Sequence, residues 1–524
     1  MIASHKKDFL WISIVSVLLL LLGSIPTWTG YRLETEELRF RGIYYDSQDY
    51  SVHMAMMEAG RQGEWTYQFR FTTEPHQPAY IRIFYIVLGH LSKWLGLATE
   101  ATFQLARWIL GFITLLALYR LMQRVFADPF WARVAFLLAA LGSGLGWLQL
   151  IFNWTSSRIT PIDFWLIDGY VFFSLSVFPH FAFVAAAMCI SLTLWLDFLK
   201  KPRWANIVWI GLTAVLVQIV NPIAFAMADI SLLGAALFSW WRIKKFRRAD
   251  IIALFAIAFA QIPLLAYNFT LLNNDPLWSQ FTAQNQTLSP PPDYYLWGFG
   301  LFWPLVLPGI FVAFRTKSSA LGAAVFWVVS AFLLAYAPTY VQIRFLLNVT
   351  VPLGILATKG LTKLFETGAA RGPGLARWRS SLVIFFVFLA SISSIQIGLG
   401  QAAYLQTHPE NLYYPVTLDY AIDWFREHAQ YNDIVLASEA TSQILAQKAG
   451  LRAYFGHQME TLGYTTKREN VQAFFQGKLP DLASKPIKWV VYGPLERRLN
   501  PDFQPPDNLE LVYDTQELQI YQVK

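Results

Sequence analysis

The sequence predicts an α-helical polytopic membrane protein with a small extracytoplasmic α/β domain at its C-terminal end. Of the 524 residues, 55% are hydrophobic and only 14% are charged, whereas a soluble globular chain has about 25% charged residues. Apolar runs of about 20 residues, the length that crosses a bilayer, recur over residues 1–400. From Gln401 onward this pattern stops, and short strand-like and helix-like segments follow.

The apolar runs predict 11 transmembrane helices with the N-terminus in the cytoplasm and the C-terminus outside. Short loops rich in Lys and Arg lie on the cytoplasmic side of membranes. With Lys6 and Lys7 on that side, every strongly basic short loop, such as residues 242–248, also falls there. The predicted spans are residues 9–26, 103–122, 131–152, 171–199, 204–220, 223–241, 250–272, 296–314, 319–337, 345–361 and 381–400.

One apolar segment, residues 79–96, is predicted not to cross the membrane. Arg82, His90 and Lys93 interrupt it. If it crossed, the arginines after the next span would face outside, against the cytoplasmic bias of positive charge. We therefore predict an amphipathic helix that lies in the membrane interface.

The net charge of +7 does not indicate a nucleic-acid partner, because the charge is unevenly distributed. Residues 31–78 contain five Arg against eight Asp and Glu, and residues 401–524 contain eleven Lys and Arg against fifteen Asp and Glu. The positive charge is therefore concentrated in the short loops between apolar spans. We expect a multi-pass protein of the cell (plasma) membrane, with membrane lipid as one partner.

Residues 401–524 are predicted to form the extracytoplasmic α/β domain, and its role is left as structural or acceptor-facing. Its sequence has no glycine-rich phosphate loop, no zinc-like Cys and His spacing and no nucleophile elbow. The predicted strands are 433–438, 487–493, 509–514 and 518–523, and the predicted helices are 420–430, 442–449 and 467–476.

The first outer loop carries two candidate catalytic carboxylates, Asp46 and Asp49. Their i, i+3 spacing places them on one face of a helix or turn. Beside the low-dielectric membrane, a carboxylate with a raised pKa can act as a general base. Two carboxylates can also hold a divalent cation, which is the candidate cofactor. The alternative is a solvated acidic loop without chemistry.

Five further residues are candidates for binding a substrate: Glu74, His76, Arg107, His180 and Arg344. An arginine at the outer end of a span can bind a phosphate. The alternatives stay open, because both arginines can extend to ordinary lipid headgroups and both histidines can have a purely structural role.

Several motifs of residues 1–400, taken with the order of loop, interfacial helix and spans, resemble one family. The motifs are DSQDY (46–50), GEW (63–65), TTEPHQP (72–78), YIVLGHLSKWLGLATEATFQLARWILG (85–111) and QIRFLLNVTVPLGIL (342–356). They resemble the GT-C membrane glycosyltransferases, in the branch of protein O-mannosyltransferases and bacterial aminoarabinose transferases. The resemblance implies a transmembrane domain over residues 1–400, whose first outer loop, 27–100, is catalytic.

The resemblance also implies a reaction and the roles of its residues. Such enzymes move a sugar from a polyprenyl-phosphate donor to an acceptor on the outer face of the membrane, and here the acceptor is an unidentified glycan, lipid or protein. Asp46 matches the acidic residue that deprotonates or orients the acceptor, because it precedes Tyr50 by the family's spacing. Asp49 departs from the family pattern. The phosphate would be held by Arg344 and Arg107, and the sugar pocket shaped by Glu74, His76 and His180.

Two functions from other classes remain as alternatives: a non-catalytic transporter or flippase of lipid-linked saccharides, and an assembly protein. A transporter places its polar groups near the bilayer midplane. Here the polar groups concentrate in the predicted outer loops, apart from Asp229. This distribution favours the enzyme.

The topology is testable with a reporter fused after Gly96. We expect the reporter on the outer side, because residues 79–96 are predicted to lie in the interface without crossing. Alkaline phosphatase and fluorescent-protein fusions at that position provide the measurement. A cytoplasmic signal would contradict the arrangement of 11 spans.

Overall fold

A computed structural model of the chain describes residues 2–152, 161–369, 373–478 and 485–524. The helices are α1 (Ile2–Arg32), α2 (Ser47–Gln62), α3 (Phe84–Leu95), α4 (Thr99–Val125), α5 (Pro129–Leu141), α6 (Gly146–Ile151), α7 (Val171–Val177), α8 (Pro179–Lys200), α9 (Trp204–Val220), α10 (Ala224–Ile243), α11 (Arg248–Asn274), α12 (Pro276–Gln284), α13 (Pro292–Gly298), α14 (Trp303–Thr316), α15 (Ser319–Leu334), α16 (Thr350–Ala369), α17 (Pro373–Tyr404), α18 (Thr417–His428), α19 (Glu439–Lys448), α20 (Tyr464–Phe475) and α21 (Pro494–Arg497). The strands are β1 (Leu38–Phe40), β2 (Tyr413–Pro415), β3 (Ile434–Leu436), β4 (Arg452–Ala453), β5 (Trp489–Tyr492), β6 (Leu509–Asp514) and β7 (Gln519–Val523).

Helices occupy all eleven predicted transmembrane segments, although their lengths differ. In the described part of the chain, six helices are long and apolar enough to cross a membrane, and the bent pair α13 and α14 adds a seventh if it forms one span. Three others, α5, α9 and α15, are apolar but shorter. The helical membrane fold is therefore confirmed, whereas the count of 11 and the orientation remain predictions.

Contacts divide the chain into two compact units. The helical unit contains Met1–Ile25, Leu105–Tyr267 and Thr287–Gly400. The α/β unit contains Pro26–Gln104, Asn268–Gln286 and Gln401–Lys524. The first loop and α12 thus group with the C-terminal segment, so the compact units do not follow the predicted division at residue 400 alone.

A five-stranded sheet forms the centre of the C-terminal segment, in the order β4-β3-β5-β7-β6. The first three strands run parallel, and β7 pairs antiparallel with both β5 and β6. All four segments of the C-terminal part that were predicted to be strands contain one. A separate antiparallel pair joins β1 of the first loop to β2, with Leu38 opposite Pro415 and Phe40 opposite Tyr413. The strands β1, β2 and β4 were not predicted.

The helix α3 lies within the segment predicted to be interfacial. With 12 residues it is shorter than the roughly 20 residues that a membrane span needs. It packs closely on α2 through two glycines. A Cβ atom at Gly60 would lie 2.1 Å from the Ile86 carbonyl oxygen, and one at Gly89 would lie 2.0 Å from that of Met57. The absence of side chains at these positions therefore sets the distance between α2 and α3.

Gly89→Ala is expected to push α2 and α3 apart and to destabilise the protein by about 1–3 kcal/mol, the usual cost of overpacking. Thermal unfolding of the purified protein in detergent provides the measurement. Gly398→Ala in α17 is the control, since a Cβ atom there meets nothing within 4 Å. Equal melting temperatures for the two variants would contradict the close packing.

Candidate functional site

The N-terminal turn of α2 holds the two predicted catalytic carboxylates. Asp46 is the N-cap residue, and its backbone is left-handed, with φ 52° and ψ 60°. Its Oδ1 accepts the Asp49 N–H at 3.2 Å. An aspartate tolerates this conformation better than most residues, and a carboxylate is stabilised by the positive end of a helix dipole. The capping contact therefore orients Asp46 at the start of α2.

Asp49 lies in the first turn of α2, opposite a histidine of the C-terminal segment. Its Oδ1 is 3.5 Å from Nε2 of His457, and the side chains are 37% and 3% exposed, respectively. Burial by itself raises the pKa of the Asp49 carboxyl, but the contact with His457 and the positive charge of Arg82 outweigh it and hold the pKa below its ordinary value. The sequence predicted a raised pKa for a carboxylate beside the low-dielectric membrane. For Asp49 this prediction is wrong, because it did not include the contacts with His457 and Arg82.

A buried carboxylate three residues beyond His457 completes the polar cluster. Glu460 accepts a hydrogen bond from the Tyr67 hydroxyl and lies 3.3 Å from Nη1 of Arg82. Burial raises the pKa of the Glu460 carboxyl above its ordinary value, although Arg82 opposes the shift. His457 and Glu460 were not predicted from the sequence as site residues. The sole signal was a polar turn, GHQMET, after a predicted helix, and it carries no chemical signature.

Glu74 and His76, both predicted to bind substrate, have protein partners in the α/β unit. Glu74 forms an ion pair with Lys467 at 2.8 Å. Burial raises the pKa of Glu74, but its hydrogen bonds to Lys467 and Thr72 produce a net lowering. Nε2 of His76 accepts the Phe69 N–H at 2.9 Å, and the Glu74 carbonyl oxygen lies 2.9 Å from Nδ1. These contacts support the structural alternative for His76.

The other three predicted binding residues lie in the helical unit. Arg344 is 34% exposed, and its Nη1 is 3.2 Å from a carboxylate oxygen of the buried Asp168. Arg107 is buried and donates to the Leu175 carbonyl oxygen at 3.3 Å and to the Ser24 hydroxyl at 2.8 Å. His180, at the start of α8, packs against Phe181 with ring centroids 4.0 Å apart.

A metal site is not evident among the residues that the structure describes. No three His, Cys, Asp or Glu side chains are grouped there so that they could hold an ion. Of the two carboxylates suggested as ligands, Asp46 caps the helix through Oδ1 and Asp49 faces His457. The divalent cation therefore stays a prediction.

No protein-family model and no curated protein matches this sequence. Solved membrane enzymes do match the structure. The oligosaccharyltransferase of Archaeoglobus fulgidus aligns at 13% identity with a TM-score of 0.54, over 92% of this chain and 69% of that protein. ArnT from Cupriavidus metallidurans, bound to undecaprenyl phosphate, aligns at 13% identity with a TM-score of 0.51, over 97% of each chain.

A third solved structure, the arabinofuranosyltransferase AftD from Mycobacteria, aligns at 12% identity with a TM-score of 0.53. The alignment covers 98% of this chain and 40% of AftD. At such low identity, the likeness establishes the fold and not the substrates. The helical membrane part and the alignments over nearly the whole chain lead to the same conclusion: this protein has the fold of the GT-C membrane glycosyltransferases.

Proposed function

We propose that this protein is a membrane glycosyltransferase that moves a sugar from a polyprenyl-phosphate donor to an acceptor on the outer face of the membrane. The observation that carries the proposal is the acidic turn at the start of α2. There Asp46 caps the helix from a left-handed backbone conformation and Asp49 follows in the same turn. Non-glycine residues in this conformation are often found at functional sites. ArnT, which shares the fold, was solved with undecaprenyl phosphate, which supports a lipid-phosphate carrier.

In the proposed reaction Asp46 is the general base. It takes the proton from a hydroxyl or amine of the acceptor while the acceptor's oxygen or nitrogen bonds to the anomeric carbon of the sugar. The bond from that carbon to the phosphate oxygen breaks, and its electron pair leaves with the polyprenyl phosphate. Holding the acceptor beside a positioned base lowers the entropic part of the barrier.

The leaving phosphate needs a positively charged partner, and Arg344 is the proposed one. Its guanidinium group is partly exposed while one nitrogen is held by Asp168. A guanidinium group binds phosphate oxygens through charge-assisted N–H hydrogen bonds, which stabilise the developing negative charge. Arg107 is buried and donates to the Leu175 carbonyl oxygen and the Ser24 hydroxyl, and these contacts support a structural role for it.

The transporter alternative gains no support from Asp229, the polar residue predicted inside a span. In α10 its Oδ2 accepts a hydrogen bond from Nε2 of Gln261 in α11 at 2.9 Å. A carboxylate paired in this way can serve helix association, and buried polar groups in membranes are commonly satisfied like this. The contact gives Asp229 a structural explanation and so removes one argument for the transporter.

Asp46→Asn is expected to lower turnover at least about 100-fold, because the amide cannot accept the acceptor's proton. Purified protein is incubated with a panel of polyprenyl-phosphate pentoses and hexoses, and release of polyprenyl phosphate is measured. Asp423→Asn is the matched control. This aspartate of α18 is 73% exposed and forms an ion pair with Arg426, so its substitution should leave turnover unchanged.

Three outcomes separate the possibilities in this assay. Normal turnover by Asp46→Asn removes that residue from the mechanism. Loss of turnover in the Asp423→Asn control as well points to a general effect of removing acidic charge. No turnover by the wild-type protein with any donor contradicts the proposed enzyme and favours the transporter.

A further inference from the structure

His457 presents one specific nitrogen to Asp49. Its Nδ1 accepts the backbone N–H groups of Met459 and Glu460, each at 3.1 Å. A ring nitrogen that accepts a hydrogen bond carries no hydrogen, so in the neutral imidazole the hydrogen is on Nε2. Adding a second proton would place an N–H on Nδ1 against two backbone donors. Burial lowers the pKa of the His457 ring, whereas the Asp49 and Glu460 carboxylates produce a net rise. The two backbone donors at Nδ1 oppose the second proton, so the turn favours a neutral ring that donates through Nε2.

The Asp49 carboxylate is the group that faces this donor. Nε2 is buried, and in the described part of the chain it has no partner at ordinary hydrogen-bond distance. Asp49 Oδ1 lies 3.5 Å away, so a shift of about 0.5 Å brings the two atoms within bonding distance. A buried N–H without a partner is costly, and this cost favours the closed contact with Asp49.

The turn that carries His457 is held in place by contacts within the α/β unit. The Thr461 hydroxyl oxygen accepts the N–H groups of Gly456 and His457 at 3.3 and 3.2 Å, and the hydroxyl donates to the Phe71 carbonyl oxygen at 2.8 Å. The Gln284 amide donates to three carbonyl oxygens of the same turn, those of Gln458, Met459 and Thr461, at 2.9, 3.3 and 3.0 Å. The imidazole is therefore positioned before any ligand arrives.

We infer that His457 is a positioning residue: through Nε2–H it holds the Asp49 carboxylate so that its exposed oxygen accepts a hydrogen bond from the reacting hydroxyl or amine of the acceptor. The inference rests on the proposed glycosyl transfer and gives a role to Asp49, which departs from the family pattern. Asp46 remains the base, and Asp49 binds the group that Asp46 deprotonates. The C-terminal segment is then a part of the active site and not an accessory domain.

The charge around Asp49 is consistent with this role. Burial raises the pKa of the Asp49 carboxyl, but the contact with His457, His53 one turn further along α2, and Arg82 together hold it below its ordinary value. An ionised carboxylate is a pure acceptor, and a hydrogen bond to a charged group is stronger than one between neutral groups. Asp49 is thus suited to bind an acceptor N–H or O–H.

The first test measures the charge state and the tautomer of the His457 ring and needs no ligand. ¹⁵N-histidine NMR of the full-length protein in detergent, assigned with His457→Gln, should show a neutral ring with hydrogen on Nε2 at neutral pH. Asp49→Ala should shift the His457 Nε2–H resonance and leave that of His428 in place. A hydrogen on Nδ1, or no response to Asp49→Ala, overturns the inference whether or not the protein is an enzyme.

The second test measures kinetics with polyprenyl-phosphate sugars as donors and a panel of methyl glycosides as acceptors. His457→Leu should raise KM for the methyl glycoside about tenfold or more, the effect of losing one hydrogen bond to a charged group, and leave KM for the donor unchanged. His457→Gln should restore much of the affinity, because its side chain can accept from the backbone and donate to Asp49. His428→Leu, an exposed histidine of α18, is the control.

The outcomes distinguish the inference from the proposed function. Unchanged KM for the methyl glycoside in His457→Leu, with an active wild-type protein, overturns the inference and leaves the glycosyltransferase intact. An equal rise in KM for the methyl glycoside in His457→Leu and His457→Gln also overturns the inference. It would mean that His457 has a structural role that a hydrogen-bonding glutamine cannot replace. A wild-type protein that is inactive with every pair of donor and acceptor contradicts the proposed function. The NMR measurement then decides by itself whether His457 donates to Asp49. If His457→Leu fails to fold, His457→Gln and the NMR measurement decide.

Discussion

The attachment of the first loop to the C-terminal segment is the constraint on which the α/β unit depends. The part of the loop between α2 and α3, residues 63–83, buries aromatic side chains, including Tyr67, Phe69 and Phe71, although it contains little regular structure. Buried backbone groups need hydrogen-bond partners, and residues 63–83 find some of theirs in the C-terminal segment. The Ala453 N–H of β4 donates to the Arg70 carbonyl oxygen at 2.8 Å, and the Thr461 hydroxyl donates to that of Phe71 at 2.8 Å. Without the C-terminal segment, the loop would lose partners that its own sequence does not supply.

Buried charges strengthen the same attachment. Arg41 is 3% exposed and donates to the side chains of Ser51 and Gln443 at 2.9 and 2.8 Å. Burial lowers its pKa to about 10, so it remains charged at neutral pH. Arg70 is buried as well and contacts Asn432 and the ring of Tyr431. A buried charge is tolerated only when it is paired or hydrogen-bonded, so each arginine requires both the loop and the C-terminal segment to be in place.

This dependence explains how Asp46 and Asp49, three residues apart, come to have different surroundings. Asp46 interacts with the local backbone, as the N-cap of α2. Asp49 points toward a turn that is distant in sequence, and its carboxylate faces the buried imidazole of His457. Spacing on a helix predicts that the two side chains share a face, and it says nothing about what that face meets. The partner in the tertiary structure therefore distinguishes Asp49, the proposed binding group, from Asp46, the proposed base.

The sequence by itself determined the membrane fold, the α/β segment and the acidic first loop, because apolar periodicity, loop charge and strand alternation are local properties of the chain. It also pointed to Asp46 and Asp49, since closely spaced carboxylates are visible in one stretch. Only the tertiary structure decided that the loop and the C-terminal segment form one unit and that His457 faces Asp49. These contacts join residues hundreds of positions apart, and they depend on backbone hydrogen bonds and buried packing, which leave no pattern in a single sequence.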